Sequence, residues 1–95
     1  MKLEFWQTVS CNHLTLARVC KTIDWQQPLP RCGEYVAGLD TLDGEQELPV
    51  RKLLHRVQDG RCLAELPSFN IAQLRISYRE LERLAEKKGW TLQKL

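Results

Sequence analysis

Apolar and polar residues alternate from the start of the chain. Leu3, Phe5 and Gln7 interleave with Glu4, Trp6 and Thr8. A period of two with aromatic enrichment predicts a short strand. Residues 14–23, LTLARVCKTI, fit two patterns: Leu16, Cys20 and Ile23 make a helical stripe, whereas Thr15, Ala17, Val19 and Ile23 make one strand face, with Lys21 as the exception. The β-branched content favours the strand. The segment 24–33, DWQQPLPRCG, continues neither pattern, because Pro28 and Pro30 fix φ and remove two backbone donors. A further strand is expected over 34–42, EYVAGLDTL, with Tyr35, Ala37 and Leu39 on one face, and Asp43-Gly44 supplies the turn after it.

Residues 50–66 read as a hairpin. Asp59-Gly60 suits a two-residue type I′ turn, in which both central residues take positive φ. That turn pairs Val57 with Cys62, Arg56 with Leu63, His55 with Ala64 and Leu54 with Glu65. One face then carries Leu53, His55, Val57, Cys62, Ala64 and Leu66, the expected core side. The other carries Lys52, Leu54, Arg56, Arg61, Leu63 and Glu65, with Glu65 diagonally between Lys52 and Arg56. Pro67 ends the hairpin, and 68–76 is expected to be a loop or a short strand.

The C-terminal region carries helix signals. Ser77-Tyr-Arg-Glu80 is a capping box, and YRELERLAEKK places Tyr78, Leu81, Leu84, Ala85 and the stem of Lys88 on an inner stripe. Lys87 and Lys88 oppose the negative end of the helix dipole, Gly89 suits the C′ position, and Trp90 is expected to pack back on the last turn. The element order β-β-β-β-β-α predicts one α+β domain over 1–95. Four or five antiparallel strands form a sheet or small partly open barrel, closed by one C-terminal helix.

Composition narrows the function classes. An apolar content of 43% is that of a folding chain. At 95 residues the core is thin, and a deep substrate pocket is hard to build. No apolar run nears the ~18 residues of a membrane helix, and MKLEFWQTVS lacks the apolar region of a signal peptide. The expectation is a cytoplasmic protein whose cysteines 11, 20, 32 and 62 stay reduced. The net charge of +2 is small but unevenly spread. Residues 1–48 hold four Lys/Arg against seven Asp/Glu, and residues 49–95 hold ten against five. An acidic segment, DTLDGEQE (40–47), precedes the basic VRKLLHR (50–56).

Candidate chemistry is sparse. His55 and Cys62 share a predicted face, within reach of each other. A nucleophilic dyad needs a third, orienting group, and the predicted neighbours Leu53, Ala64 and Leu66 are apolar. A core cysteine beside a hydrogen-bonded histidine is the favoured reading. Cys11 and His13 point the same way if both lie on a strand. With Cys32 and one of Cys20, His55 or Cys62 they supply four zinc ligands in principle, but no CxxC or paired spacing supports a metal. The glycines are scattered, and no serine has a nucleophile-elbow context. No enzyme, cofactor or metal is therefore expected. The leading expectation is a non-catalytic interaction module that self-associates as a homodimer, or binds another protein, through Lys52, Leu54, Arg56, Arg61, Leu63 and Glu65. In that reading the acidic 40–47 loop of one copy meets the basic rim of the other across a two-fold axis. The alternative is a nucleic-acid-binding module using Arg51, Lys52, Arg56 and Arg61 with nearby aromatics.

Overall fold

The computed structural model describes all residues from Met1 to Leu95. Its backbone is built from the alternation at the N-terminus. Strand β1 spans Lys2–Cys11 and β2 spans Leu14–Asp24, joined by a two-residue turn. Asn12 and His13 both take positive φ there, at 47° and 75°. This is the I′ geometry that matches strand twist, and Asn tolerates it well. On β1, Leu3, Phe5, Gln7 and Val9 are fully buried, as are Ala17 and Val19 on β2. Lys21, the polar exception on this face, lies over the Trp90 ring at 5.7 Å and donates to the Lys88 carbonyl at 3.0 Å. Its apolar stem is buried while its charge caps a helix end.

Strands β3 (Tyr35–Ala37) and β4 (Glu47–Pro49) form a small separate sheet. Strand β5 (Lys52–Arg56) and β6 (Arg61–Glu65) form the expected hairpin. Strand β7 (Phe69–Asn70) leads into a short helix α1 (Ile71–Leu74), then α2 (Tyr78–Lys88), then a last strand β8 (Thr91–Lys94). The main sheet has six strands, in the order β5-β6-β1-β2-β8, with β7 beside β1 where β6 ends. The fold is α+β with a mostly antiparallel sheet of six strands, where the sequence predicts four or five, and two helices, where it predicts one.

Four expectations are corrected. The sheet is not wholly antiparallel: β6 and β7 run parallel to β1, pairing Leu3 with Cys62 and Val9 with Phe69. Strand pattern predicts extension and facing but not which strand becomes the neighbour. The chain does not end on a helix, because β8 pairs with β2 through Val19–Leu92. On β3 the facing is reversed: Val36 is buried, while Tyr35 and Ala37 are exposed, because the small sheet packs through Val36 and Leu48. The β5–β6 loop has four residues, Val57 to Gly60, not two. The Asp59 carboxylate accepts the Arg61 N–H at 3.1 Å, and only Gly60 takes positive φ. The longer loop moves the register by two residues, so Leu54 faces Leu63 and His55 faces Cys62. A shift of two preserves facing, so each residue of the two strands stays on its expected side.

The core lies between one face of the sheet and a layer made by residues 25–50 and α2. Phe5 meets Trp25 edge to face, with centroids 5.7 Å apart at 64°. Leu39, Leu42, Leu48 and Val50 from the connecting segment join Leu81, Ala85 and Trp90 in the same cluster. The Trp90 indole N–H donates to the Asp40 carbonyl at 2.9 Å. Lys88 contributes more than its stem, since its ammonium donates to the Thr41 carbonyl at 2.8 Å and lies 3.2 Å from the Asp40 carboxylate. Where β6 gives way to β7, Pro67 has no N–H for the ladder. The fully buried Gln7 side chain bridges this break by donating to the Pro67 carbonyl at 2.9 Å.

Helix α2 begins and ends as its sequence predicts. The Ser77 side chain accepts from Glu80 N–H, the Glu80 carboxylate accepts from Ser77 N–H, and Gly89 takes φ 80° at the C-terminal cap. Ser77→Ala is expected to cost about 1 kcal/mol. For a domain of this size that lowers the melting temperature by roughly 4–8 °C, which thermal denaturation followed by circular dichroism measures.

Candidate functional site: the open face of the sheet

The side chains that alternate with the buried ones all lie on the opposite face of the sheet. There β1 contributes Glu4, Trp6 and Thr8, and β2 contributes Arg18 and Cys20. Leu63 and Glu65 of β6 lie beside Glu4 and Trp6, and Lys52, Leu54 and Arg56 of β5 lie beyond them. At the other side Gln93 of β8 pairs with Arg18. Cys20 is buried on this face, Glu4, Trp6, Arg18, Leu63 and Glu65 are half-buried, and Leu54 retains 40% exposure.

The six residues expected as an interaction surface, Lys52, Leu54, Arg56, Arg61, Leu63 and Glu65, are thus brought onto one face. The corrected register sharpens their arrangement. Leu54 and Leu63 are directly opposite each other, and so are Lys52 and Glu65. Arg56 is directly opposite Arg61. Like charges in that position repel. The Asp59 carboxylate, 3.8 Å from Arg56 Nε on an exposed surface, offsets this only weakly. Arg51, the remaining residue of the nucleic-acid reading, precedes β5 and lies beside Thr8 and Glu65. The aromatics do not gather into a platform. Phe5, Phe69 and Trp90 are buried in the core and Trp25 packs on Phe5, Tyr35 lies on the small sheet, and only Trp6 lies on the open face.

Five strands contribute to one pocket of about 320 Å³ on this face, lined by Glu4, Trp6, Arg18, Cys20, Leu54, Arg56, Leu63 and Gln93. The Arg18 guanidinium lies 5.3 Å from the Trp6 ring centroid, and its Nη2 donates to Gln93 Oε1 at 3.0 Å. Stacking and the hydrogen bond hold the cation in place before any ligand arrives, and the stacking contributes about 0.5–2 kcal/mol depending on its desolvation. Arg18 Nε is buried without a hydrogen-bond partner. A planar guanidinium held this way suits a carboxylate. Alternation along β1 and β2 already separates Glu4, Trp6, Arg18 and Cys20 from the core residues. Their convergence with the hairpin needs the parallel β1–β6 pairing, which nothing local announces. Gln93 lies on a strand that the sequence pattern does not reveal.

The cysteine and histidine constellations are separated by the fold. Cys62 Sγ lies 3.4 Å from His55 Nδ1, across the β5–β6 hairpin on its core side. His55 has no carboxylate or amide partner there. Cys11 ends β1 and His13 sits in the turn after it, so the two do not share a strand face. All four cysteines are free, and no three metal-ligating side chains converge.

Cys20, at the edge of the pocket, is 9% exposed. Burial pushes its thiol pKa up, and the Glu4 carboxylate pushes it further, while Arg18 opposes both. Folding therefore holds the proton on Cys20. Its contribution to stability is complete below the ordinary thiol pKa and is lost as pH rises through the raised value. At neutral pH, Cys20 should alkylate much more slowly than the exposed Cys32, and Glu4→Gln should speed it. Mass spectrometry of iodoacetamide-treated protein over a pH series measures both rates. No family model, curated protein or solved structure matches the chain, so the open face carries the functional reading by its own geometry.

Proposed function

We propose that this protein is a non-catalytic interaction module, and that a second copy of the chain docks on its open sheet face. The observation that carries the reading is the directly opposed pair of exposed Leu54 and part-buried Leu63, ringed by Lys52, Arg56, Arg61 and Glu65. An apolar centre with a charged rim is how protein interfaces are composed. Trp6 extends the apolar centre, and Arg18 supplies a pre-positioned cation beside it. Aromatic and arginine side chains in a desolvated centre are the usual energetic anchors of an interface.

A second reading, single-stranded nucleic acid, draws on the Arg56–Arg61 juxtaposition. Two opposed guanidiniums suit a phosphate backbone, although one tryptophan makes a small stacking surface. The two readings separate by salt and by partner. Phosphate binding weakens by ~0.7 log units per tenfold rise in salt for each phosphate neutralised.

Solution mass over a concentration series tests the main reading. The wild-type mass should rise with concentration. Leu54→Glu should weaken association by at least about tenfold, because an unpaired charge in a desolvated centre costs several kcal/mol. A wild type that stays monomeric at high concentration, or an assembly that Leu54→Glu leaves intact, refutes the reading. Fluorescence anisotropy with a labelled oligonucleotide at low salt tests the second.

A further inference from the structure

The two charged surfaces of the molecule lie on opposite sides of the sheet. The acidic segment 40–47 belongs to the layer behind the packed face. It is tied there by the Trp90 indole bond to the Asp40 carbonyl and by the Lys88 bonds to Thr41 and Asp40. The Thr41 hydroxyl, 3% exposed, donates to the Glu45 carbonyl at 2.7 Å and sets the turn. Asp40 is neutralised by Lys88, but Asp43, Glu45 and Glu47 have no ion-pair partner. Glu45 and Glu47 are exposed. On the far side, the open face carries Arg18, Lys52, Arg56 and Arg61 against Glu4 and Glu65.

This placement sets the acidic loop and the basic rim on opposite sides of the sheet, which disfavours the two-fold contact expected from sequence. Pairing open face with open face sets a net positive surface against its own copy, and it leaves both acidic loops pointing away from the interface. Like-charge juxtaposition of this kind costs association. A head-to-tail arrangement has the opposite sign. The acidic loop of one copy meets the net cationic face of the next, where Arg18, Lys52, Arg56 and Arg61 outnumber Glu4 and Glu65.

We propose that the occupant of the open face is the acidic loop of a second copy, with the Glu45 or Glu47 carboxylate entering the pocket beside Arg18 and Arg56. This rests on the reading of the open face as a self-association surface and names what fills it. The pocket has the required parts: a guanidinium fixed by Trp6 and Gln93, a second guanidinium whose opposite neighbour is Arg61, and Leu54 and Leu63 to exclude water. The loop has the complementary parts: a turn held by buried bonds and free carboxylates. Such a contact is heterologous. A pair joined this way keeps one unused face on one copy and one unused loop on the other, so assembly continues past two chains or closes as a ring.

The experiment uses two charge-reversed variants of exposed residues, a face variant (Arg56→Glu with Arg61→Glu) and a loop variant (Glu45→Lys with Glu47→Lys). Circular dichroism melts establish that each is folded. Analytical ultracentrifugation at 0.05 M salt should show wild type growing past the dimer with concentration. Association should weaken by about tenfold or more at 0.5 M salt, where the screening length is a few ångströms. Each variant alone should be monomeric. Their equimolar mixture should associate again, since the acidic face of one variant attracts the basic loop of the other and the unreversed face and loop still attract. Mixing each variant with wild type separates the ends: the face variant should cap growth at one end and the loop variant at the other, and both should lower the mean mass.

Three outcomes overturn the proposal. A loop variant that associates like wild type, while Leu54→Glu does not, leaves the face as the interface but removes the loop from it. A wild type that stops at a dimer, with growth unaffected by either capping variant, does the same. A wild type that remains monomeric throughout removes both readings together.

Discussion

Every layer of this protein is referenced to β1, which is hydrogen-bonded on both sides. Antiparallel β2 takes one edge over its whole length, and β6 followed by β7 takes the other in parallel. Leu3, Phe5, Gln7 and Val9 are fully buried along its packed side, so β1 shifts by one residue only at the cost of the core. The parallel partner is interrupted at Pro67, and there the Gln7 amide takes the place of a ladder bond. The amide nitrogen of this fully buried side chain is satisfied by the Pro67 carbonyl, while its Oε1 is buried without a partner.

Parallel pairing has a consequence for the faces. A chain that leaves β2 on one side of β1 and returns as β6 on the other must cross the sheet. Residues 25–50 make that crossing over the packed face, and residues 71–90 make a second crossing over the same face to reach β8. Both connections therefore cover one side, and none is left for the other. The open face is a result of topology and not of a missing element. With one covering layer, a chain of this size buries the apolar residues of one sheet face and must furnish the other with polar or amphipathic side chains.

That second face is furnished in a way that stability alone does not explain. Two arginines sit opposite each other at the hairpin end, exposed Leu54 sits opposite Leu63, and the Arg18 Nε has no partner. Of these, the Arg56–Arg61 pair breaks a local rule of cross-strand pairing outright. Natural proteins concentrate such departures where they function. The acidic loop shows the complementary pattern: buried bonds hold its turn while its carboxylates stay unpaired. Charge has been partitioned between two sides of the molecule that local structure holds apart.

Sequence by itself determined the elements whose information is local. The capping box and Gly89 delimit α2 to the residue, and alternation places β1, β2 and the β5–β6 hairpin and assigns residues 3–8 and the hairpin strands to their faces. Facing outlasted an error in the turn, because Asp59-Gly60 closes a four-residue loop and a register shift of two preserves parity. Tertiary structure alone decided what depends on partners distant in the chain. The parallel placement of β6 beside β1, the existence of β8, and the reversed facing of the short β3 are set by packing against residues tens of positions away. The six hairpin residues were legible as a surface, but Trp6, Arg18 and Gln93 joined them only through the sheet order. Whether the acidic and basic segments could meet was likewise undecidable from their adjacency in sequence. Ten residues of separation do not specify a side of the sheet, and the crossing connection puts them on opposite ones.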